Sequence, residues 1–157
     1  MPMHLLRETV RPEWIDYNGH LYDGYYAVIF ARAVDEFLEH VGLDADTRAS
    51  TRRTIYTLET HVRFLREVKL GAPLAVTAQL LEVDAKRARL FLAMHDTARD
   101  ILAATSEQLL MSIDQSGEQP RSAPWLEASA AILEDLARQH ATLPVPEAAG
   151  RGIAIRR

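Results

Sequence analysis

Between Tyr25 and Gly42 the chain reads YYAVIFARAVDEFLEHVG, and no other stretch restricts the fold as much. Tyr26, Phe30, Ala33, Val34, Phe37, Leu38 and Val41 recur at helical three- and four-residue steps. Arg32, Asp35, Glu36 and Glu39 fall mostly opposite, and Gly42 suits the position just past a helix C-terminus. Ala27, Val28, Ile29 and Ala31 broaden the apolar stripe, which predicts a helix buried on most of its sides. Something must enclose it.

The enclosure has to come from the β-patterned middle of the chain. A short segment from Leu5 to Val10 is a candidate leading strand. In TIYTLETHVRFL the alternation puts Tyr56, Leu58, Thr60, Val62 and Phe64 on one face. Ile55, Thr57, Glu59, His61 and Arg63 fall on the other. Gly71 and Pro73 break that run. LAVTAQLLEV, ARLFLAMHD and ILAATSEQLLMSID follow, joined by the polar turns DAKR and TARD, and read as an antiparallel meander. A second helix is expected over 124–140, N-capped by Ser122, with Trp125, Ile132, Leu133 and Leu136 on its apolar side. The tail, residues 141–157, should run extended over the surface or onto a partner. One helix against one antiparallel sheet is a two-layer α+β arrangement, and the sheet must wrap to cover it. Such sheets leave long edges that a second subunit often seals.

Bulk properties narrow the class. At 157 residues, 48% apolar and 25% charged, the chain reads as a single globular domain spanning 1–157. A net charge of −4 gives no electrostatic reason to expect nucleic acid. Six scattered histidines lack the ligand spacing of a metal site, and there is no cysteine. Neither a signal peptide nor a run of ~18 apolar residues is evident, so the expectation is a cytoplasmic protein away from membranes.

The densest chemistry lies in EWIDYNGHLYDGYY, residues 13–26. Trp14, Tyr17, Tyr22, Tyr25 and Tyr26 are five of the eleven aromatic rings, gathered around Asp16, Asn18 and His20. Asp16 reads either as a helix-capping carboxylate or as a reactive one. Asn18–Gly19 is a turn dipeptide, and His20 at a helix entry either bonds backbone or meets a substrate. Glu59 and His61 share a strand face, which is either solvent-facing or a second acid–base pair. Glu107 and Gln108 interrupt an apolar strand.

Asp16, Gly19 and His20, followed by Tyr26 at the start of a long helix, resemble the Asp-x-x-Gly-His pattern of hotdog-fold, 4-hydroxybenzoyl-CoA thioesterase-like acyl-CoA thioesterases. The order of elements from about Glu8 to Ile113 resembles that fold, a curved antiparallel sheet around a central helix. Here the C-terminal helix is an addition. VRPEWIDYNGH, YTLETHVRFLREVKLG, DAKRARLF, SEQLLMSID and LPVPEAAGR are similar to the thioesterase domain associated with carnitine dehydrogenase. That resemblance implies hydrolysis of betainyl-CoA to glycine betaine and CoA in carnitine catabolism, by a homodimer or homotetramer. CoA enters only as part of the substrate, with no other cofactor.

With no cysteine and no Gly-x-Ser-x-Gly, a carboxylate is the natural reactive group. Asp16 then attacks the thioester carbonyl or deprotonates water, with Asn18, His20 and Glu59 as supporting catalytic candidates. Helix N–H groups near Asp23 to Tyr25 are implied as oxyanion donors. Tyr22 stands where the broader family commonly has Asn. Trp14, Tyr17, Tyr22, Tyr25, Tyr26, Asp23 and His61 are substrate-binding candidates. Ring faces with Glu59 or Asp23 suit a trimethylammonium group, while rings alone suit medium or aryl acyl groups equally. Arg87, Arg89, Arg151, Arg156 and Arg157 are candidates for the CoA phosphates. A non-catalytic acyl-CoA-binding module is the remaining alternative.

Overall fold

The computed structural model describes residues 1–155; Arg156 and Arg157, two of the candidate phosphate contacts, lie outside the described residues. The helix read from the sequence is α1, Asp23–His40. It buries Tyr26, Ile29, Phe30, Ala33, Val34, Phe37 and Leu38, with Phe30 and Phe37 fully enclosed. Full burial of each such ring stabilises the fold by ~1.5–3 kcal/mol. The end of α1 is set by Gly42, whose φ of 80° is open to glycine without a Cβ penalty. Gly42 N–H donates to Glu39 C=O and Leu43 N–H to Leu38 C=O, the paired bonds of a Schellman stop.

Burial of α1 is narrower than its composition predicts. Ala27, Val28 and Ala31 are exposed in the single chain, because the sheet covers only one side of the helix.

The strands are β1 (Met3–Thr9), β2 (Arg53–Phe64), β3 (Pro73–Val83), β4 (Arg87–Asp96), β5 (Ile101–Asp114) and the short β6 (Arg121–Ser122). Their order is β1-β3-β4-β5-β2, all antiparallel, with β6 added to the end of β5. The expected meander is β3-β4-β5.

Register fixes what faces α1. One row crosses the sheet through Val76, Met94, Ala104 and Phe64. The next runs through Ala78, Leu92, Ser106 and Val62, and a third through Leu80, Leu90, Gln108 and Thr60. The inner face is thus aliphatic over β3 and β4 and turns polar toward β2. There Thr60 Oγ1 and Gln108 Nε2 each lie 3.1 Å from the buried Ser106 Oγ, so the polar groups satisfy one another.

Alternation along β2 does not hold throughout. Thr57 opposes Leu110 and Glu59 opposes Leu109, so Leu58 is an extra residue in a β-bulge. One inserted residue inverts the faces. Ile55 and Thr57 therefore lie on the inner side with Thr60, Val62 and Phe64, and Tyr56 moves to the outer side with Glu59, His61 and Arg63. The other edge of β2 has no strand partner among the described residues.

Two short helices differ from expectation. α2 (Ala45–Thr51) is an unanticipated helix, N-capped by Asp44, whose Oδ1 accepts from Thr47 N–H at 2.8 Å. α3 spans Glu127–His140, and Ser122 is not its cap: it pairs in β6. The intervening chain is held extended because Trp125 is buried. Its N–H donates to Ala85 C=O and its indole N–H to Asp84 C=O.

α3 packs on β3 through Leu133, Leu136 and His140. β1 stops opposite Ala78, so the N–H of Leu80 has no strand partner on that side. His140 Nδ1 accepts it at 2.8 Å. Burial, aided by the charge of the N-terminal amine, holds this imidazole below its ordinary range. The folded state therefore resists a proton that the unfolded chain accepts below about pH 6.5, and stability falls as pH drops through that region. Thermal melts at pH 7 and pH 5 should show a lower midpoint at pH 5. His140→Phe should cost ~1–3 kcal/mol at pH 7, the scale of an orphaned buried donor, and make that pH slope shallower. An unchanged slope would mean that another group carries it.

Candidate active site

The aromatic stretch folds into a tight hairpin ahead of α1. Ile15 bridges Leu21, Asp16 N–H donates to His20 C=O, and Gly19 N–H returns to Asp16 C=O. Gly19 takes a φ of 77°, as a residue closing such a turn requires. Asp16 Oδ1 then accepts from Asn18 N–H at 2.8 Å and His20 N–H at 3.2 Å. The carboxylate therefore organises its own turn and does not cap α1. The N-cap is Tyr22, with no side-chain cap bond. Oδ2 of Asp16 makes no hydrogen bond among the described residues.

A second segment holds this hairpin in place. Leu21 N–H donates to Val68 C=O at 2.7 Å, and His20 bridges Lys69. His20 Nε2 lies 3.0 Å from Glu67 Oε2. Arg99 reaches across from the β4–β5 turn to the Glu67 carbonyl at 2.6 Å, while its Nε binds the buried Asp96 at 2.7 Å. Hairpin, exit loop of β2 and β4–β5 turn form one braced unit.

Between the hairpin, the start of α1 and the end of β2 with its exit loop lies a cavity of about 500 Å³. Asp16, Asp23 and Glu67 supply carboxylates to its wall, and His20 an imidazole. Tyr17, Tyr22, Tyr26 and Phe64 supply rings. Among the described residues, no Lys or Arg lines it. Tyr26 is buried, its ring edge-to-face with Phe64 at 5.0 Å, and burial raises its phenol above the usual range. Tyr17, at 94% exposure, stands free at the rim.

α1 opens beside Asp16, so its first N–H groups and the positive end of its dipole reach the cavity. Tyr25 N–H is taken by Tyr22 C=O and Gly24 N–H by Asp23 Oδ1. Asp23 N–H has no acceptor among the described residues.

Of the residues singled out by sequence, Asp16, Tyr17, His20, Tyr22, Asp23 and Tyr26 converge on this cavity. Trp14 and Tyr25 do not line it. Trp14 is buried between Tyr25, stacked at 5.9 Å, and the Arg11 guanidinium, 4.7 Å from its ring centre. That sandwich leaves Trp14 a structural anchor. Asn18 contributes its backbone N–H and leaves its side chain exposed.

Glu59 and His61 sit on the outer face of the sheet, in a separate groove of about 360 Å³. Arg89, Glu107 and Gly150 border that groove. Within one chain they do not meet Asp16. Glu107 accepts from Arg89 and from Gly150 N–H, clamping the tail onto the outer face. Arg89 also pairs with Glu82, and Arg87 with Asp84, so both candidate phosphate ligands are occupied by carboxylates. Arg151 lines the same outer groove.

Phe64 and Glu67 were not singled out by sequence. Phe64 is legible in hindsight as the last inward position of β2; Glu67 sits in an irregular loop and carries no periodic signal. Among the described residues no three His, Asp or Glu side chains converge on a metal position, and no helix is long and apolar enough to cross a membrane.

A curved antiparallel sheet around one helix, with a carboxylate at the mouth of that helix, defines the hotdog-fold thioesterase class. The chain belongs to the thioesterase-like superfamily, whose family model matches residues 10–148. It is 43% identical to a betainyl-CoA thioesterase of Pseudomonas aeruginosa, over 93% of this chain and 91% of that protein. It is 36% identical to the L-carnitine dehydrogenase/betainyl-CoA thioesterase of Rhizobium meliloti, over 99% of this chain. The chain spans 31% of the length of that two-function relative. A Staphylococcus aureus protein solved in complex with CoA superposes with a TM-score of 0.89 at 32% identity, covering 99% of this chain and 98% of that one.

Proposed function

We propose that this chain hydrolyses betainyl-CoA to glycine betaine and CoA. The observation that carries the reading is the 43% identity, over nearly the whole of both chains, to a betainyl-CoA thioesterase. The cavity supports it independently. A trimethylammonium group cannot donate an N–H hydrogen bond, and proteins hold it against ring faces. Tyr17, Tyr22, Tyr26 and Phe64, with three carboxylates and no Lys or Arg among the described residues, make a wall suited to such a cation. The two-function relatives support a place beside L-carnitine oxidation, and acyl-CoA substrates fit a cytoplasmic setting. No cofactor is needed beyond the CoA carried by the substrate.

In this reading Asp16 is the reactive carboxylate. Its Oδ1 is held by two backbone N–H groups, and Oδ2 is the oxygen left to attack the carbonyl carbon or to take a proton from water. The thioester oxygen develops negative charge toward the open end of α1, where the Asp23 N–H and the helix dipole favour it. CoA then leaves as a thiolate, a good leaving group without prior protonation; on the direct-attack route the acyl group stays on Asp16 as a mixed anhydride until water hydrolyses it and restores the carboxylate.

The active unit is a homodimer or a larger assembly of dimers. Its support is β2, twelve residues long with an unpaired edge carrying exposed Tyr56, Leu58 and Phe64. Natural proteins seldom leave such an edge open. Pairing there brings a second chain beside Phe64 and the cavity.

Two measurements test the activity. Thiol release should give a higher kcat/KM for betainyl-CoA than for 3,3-dimethylbutyryl-CoA, the neutral isostere; equal or better turnover of the neutral compound defeats the cation reading. Asp16→Asn keeps the acceptor for Asn18 and His20 N–H but loses basicity and nucleophilicity. Its kcat should fall by ~10²-fold or more with an unchanged melting temperature; near-wild-type turnover would reduce Asp16 to a turn former. Light scattering at micromolar concentration should give at least twice the chain mass, and a monomeric mass rules out the shared edge.

A further inference from the structure

We infer that Glu67 is a positioning residue of the active site, acting through His20. The inference rests on the reading of Asp16 and His20 as active-site residues, and it adds a carboxylate from a different part of the chain.

The chemistry of the pair fixes the ring. A carboxylate offers only acceptors, so it favours a proton on the imidazole nitrogen nearest to it. Nε2, 3.0 Å from Glu67 Oε2, is that nitrogen. In the neutral ring Nδ1 is then the acceptor, and it is the nitrogen left for water or substrate. Without Glu67 the ring is free to flip, to exchange tautomers and to swing toward solvent, since its side chain is one-third exposed at 33%.

The two backbones show that this is a built contact. His20 is locked by Asp16 on both its N–H and its C=O, and its strand-like bridge to Lys69 sets its distance from the β2 exit loop. Glu67 is locked by Arg99 on its carbonyl, and its neighbour Val68 is tied to Leu21. Arg99 is itself held by Asp96, a residue 2% exposed whose carboxyl is kept below the usual carboxylate range by Arg99 even though burial opposes this. Both partners therefore arrive on fixed supports, and both line the cavity with Asp16.

Because the segments are already stapled by backbone hydrogen bonds, the side-chain pair is not needed to hold them. Exposed ion pairs contribute little to stability in any case. The consequence of the pair is the orientation of one imidazole beside the reactive carboxylate. Small displacements of a positioned group cost up to about a hundredfold in rate.

A double-mutant cycle on the full chain tests this, read with betainyl-CoA or whichever acyl-CoA the wild type turns over best. Glu67→Ala should lower kcat by about ten- to a hundredfold, with KM within about twofold and the melting temperature unchanged. Glu67→Gln, whose amide oxygen can occupy the same position opposite Nε2, should restore most of that kcat. In a His20→Ala background Glu67→Ala should have no further effect, because the group it orients is gone. Four results would overturn the inference: full activity in Glu67→Ala, losses that multiply in the double variant, failure of Gln where Ala fails, or wild-type activity in His20→Ala. None of these depends on Asp16→Asn or on the choice between charged and neutral acyl groups, so the proposed reaction can survive the loss of this inference. A wild type that releases no thiol from any acyl-CoA overturns both.

Discussion

Everything in this fold depends on covering one apolar helix with one sheet. α1 presents a stripe from Tyr26 to Leu38 whose two phenylalanines have no exposure at all. Five strands of varying length curve around that stripe, and residue register decides which side chains touch it. The cost of a single-layer wrap is an incomplete one. The far side of α1 stays open, and so does the long edge of β2.

The candidate site lies at the N-terminal mouth of α1 because several constraints meet there. The helix must start with N–H groups that lack intrahelical acceptors, and the chain must turn sharply to enter it. Asp16, Gly19 and His20 solve the turn with local hydrogen bonds, which also presents a free carboxylate oxygen beside the helix end. The exit loop of β2 closes the opposite wall. It brings Phe64 and Glu67 to the cavity, while Arg99 and Asp96 brace it from behind. A carboxylate oxygen free of hydrogen bonds thus follows from satisfying backbone groups at a place where the packing leaves space.

The polar change across the inner sheet face has the same origin. Rows that begin in leucine, valine and alanine on β3 end in Thr60, Val62 and Phe64 on β2, passing through Ser106 and Gln108. Such hydroxyl and amide groups are tolerable there because they bond to one another and lie next to an unpaired edge. On the outer face, Glu107 spends its two oxygens on Arg89 and on the tail backbone. The interruption that Glu107 and Gln108 make in β5 therefore has two unrelated causes, one on each side of the sheet.

By itself the sequence determined α1, its glycine stop, the three-strand meander and the crowd of rings around Asp16, since each depends on neighbours within a few residues. Periodicity and turn chemistry are local, and so is the Asp-x-x-Gly-His pattern. Tertiary structure decided what local pattern cannot carry. The bulge at Leu58 inverted one half of β2, because the pairing with β5 absorbs an extra residue that no alternation rule anticipates. Trp125 delayed α3 by packing under the β3–β4 turn, which overrode Ser122 as a cap. Glu59 and His61 went to the outer face and Trp14 into a stack with Arg11, so three residues chosen for their chemistry lie away from the cavity. Glu67, in a loop without period, reached His20 through backbone ties to segments distant in sequence. Residue types near one another in sequence announce a candidate hairpin; only the closure of the sheet around α1 determines which distant side chain faces it.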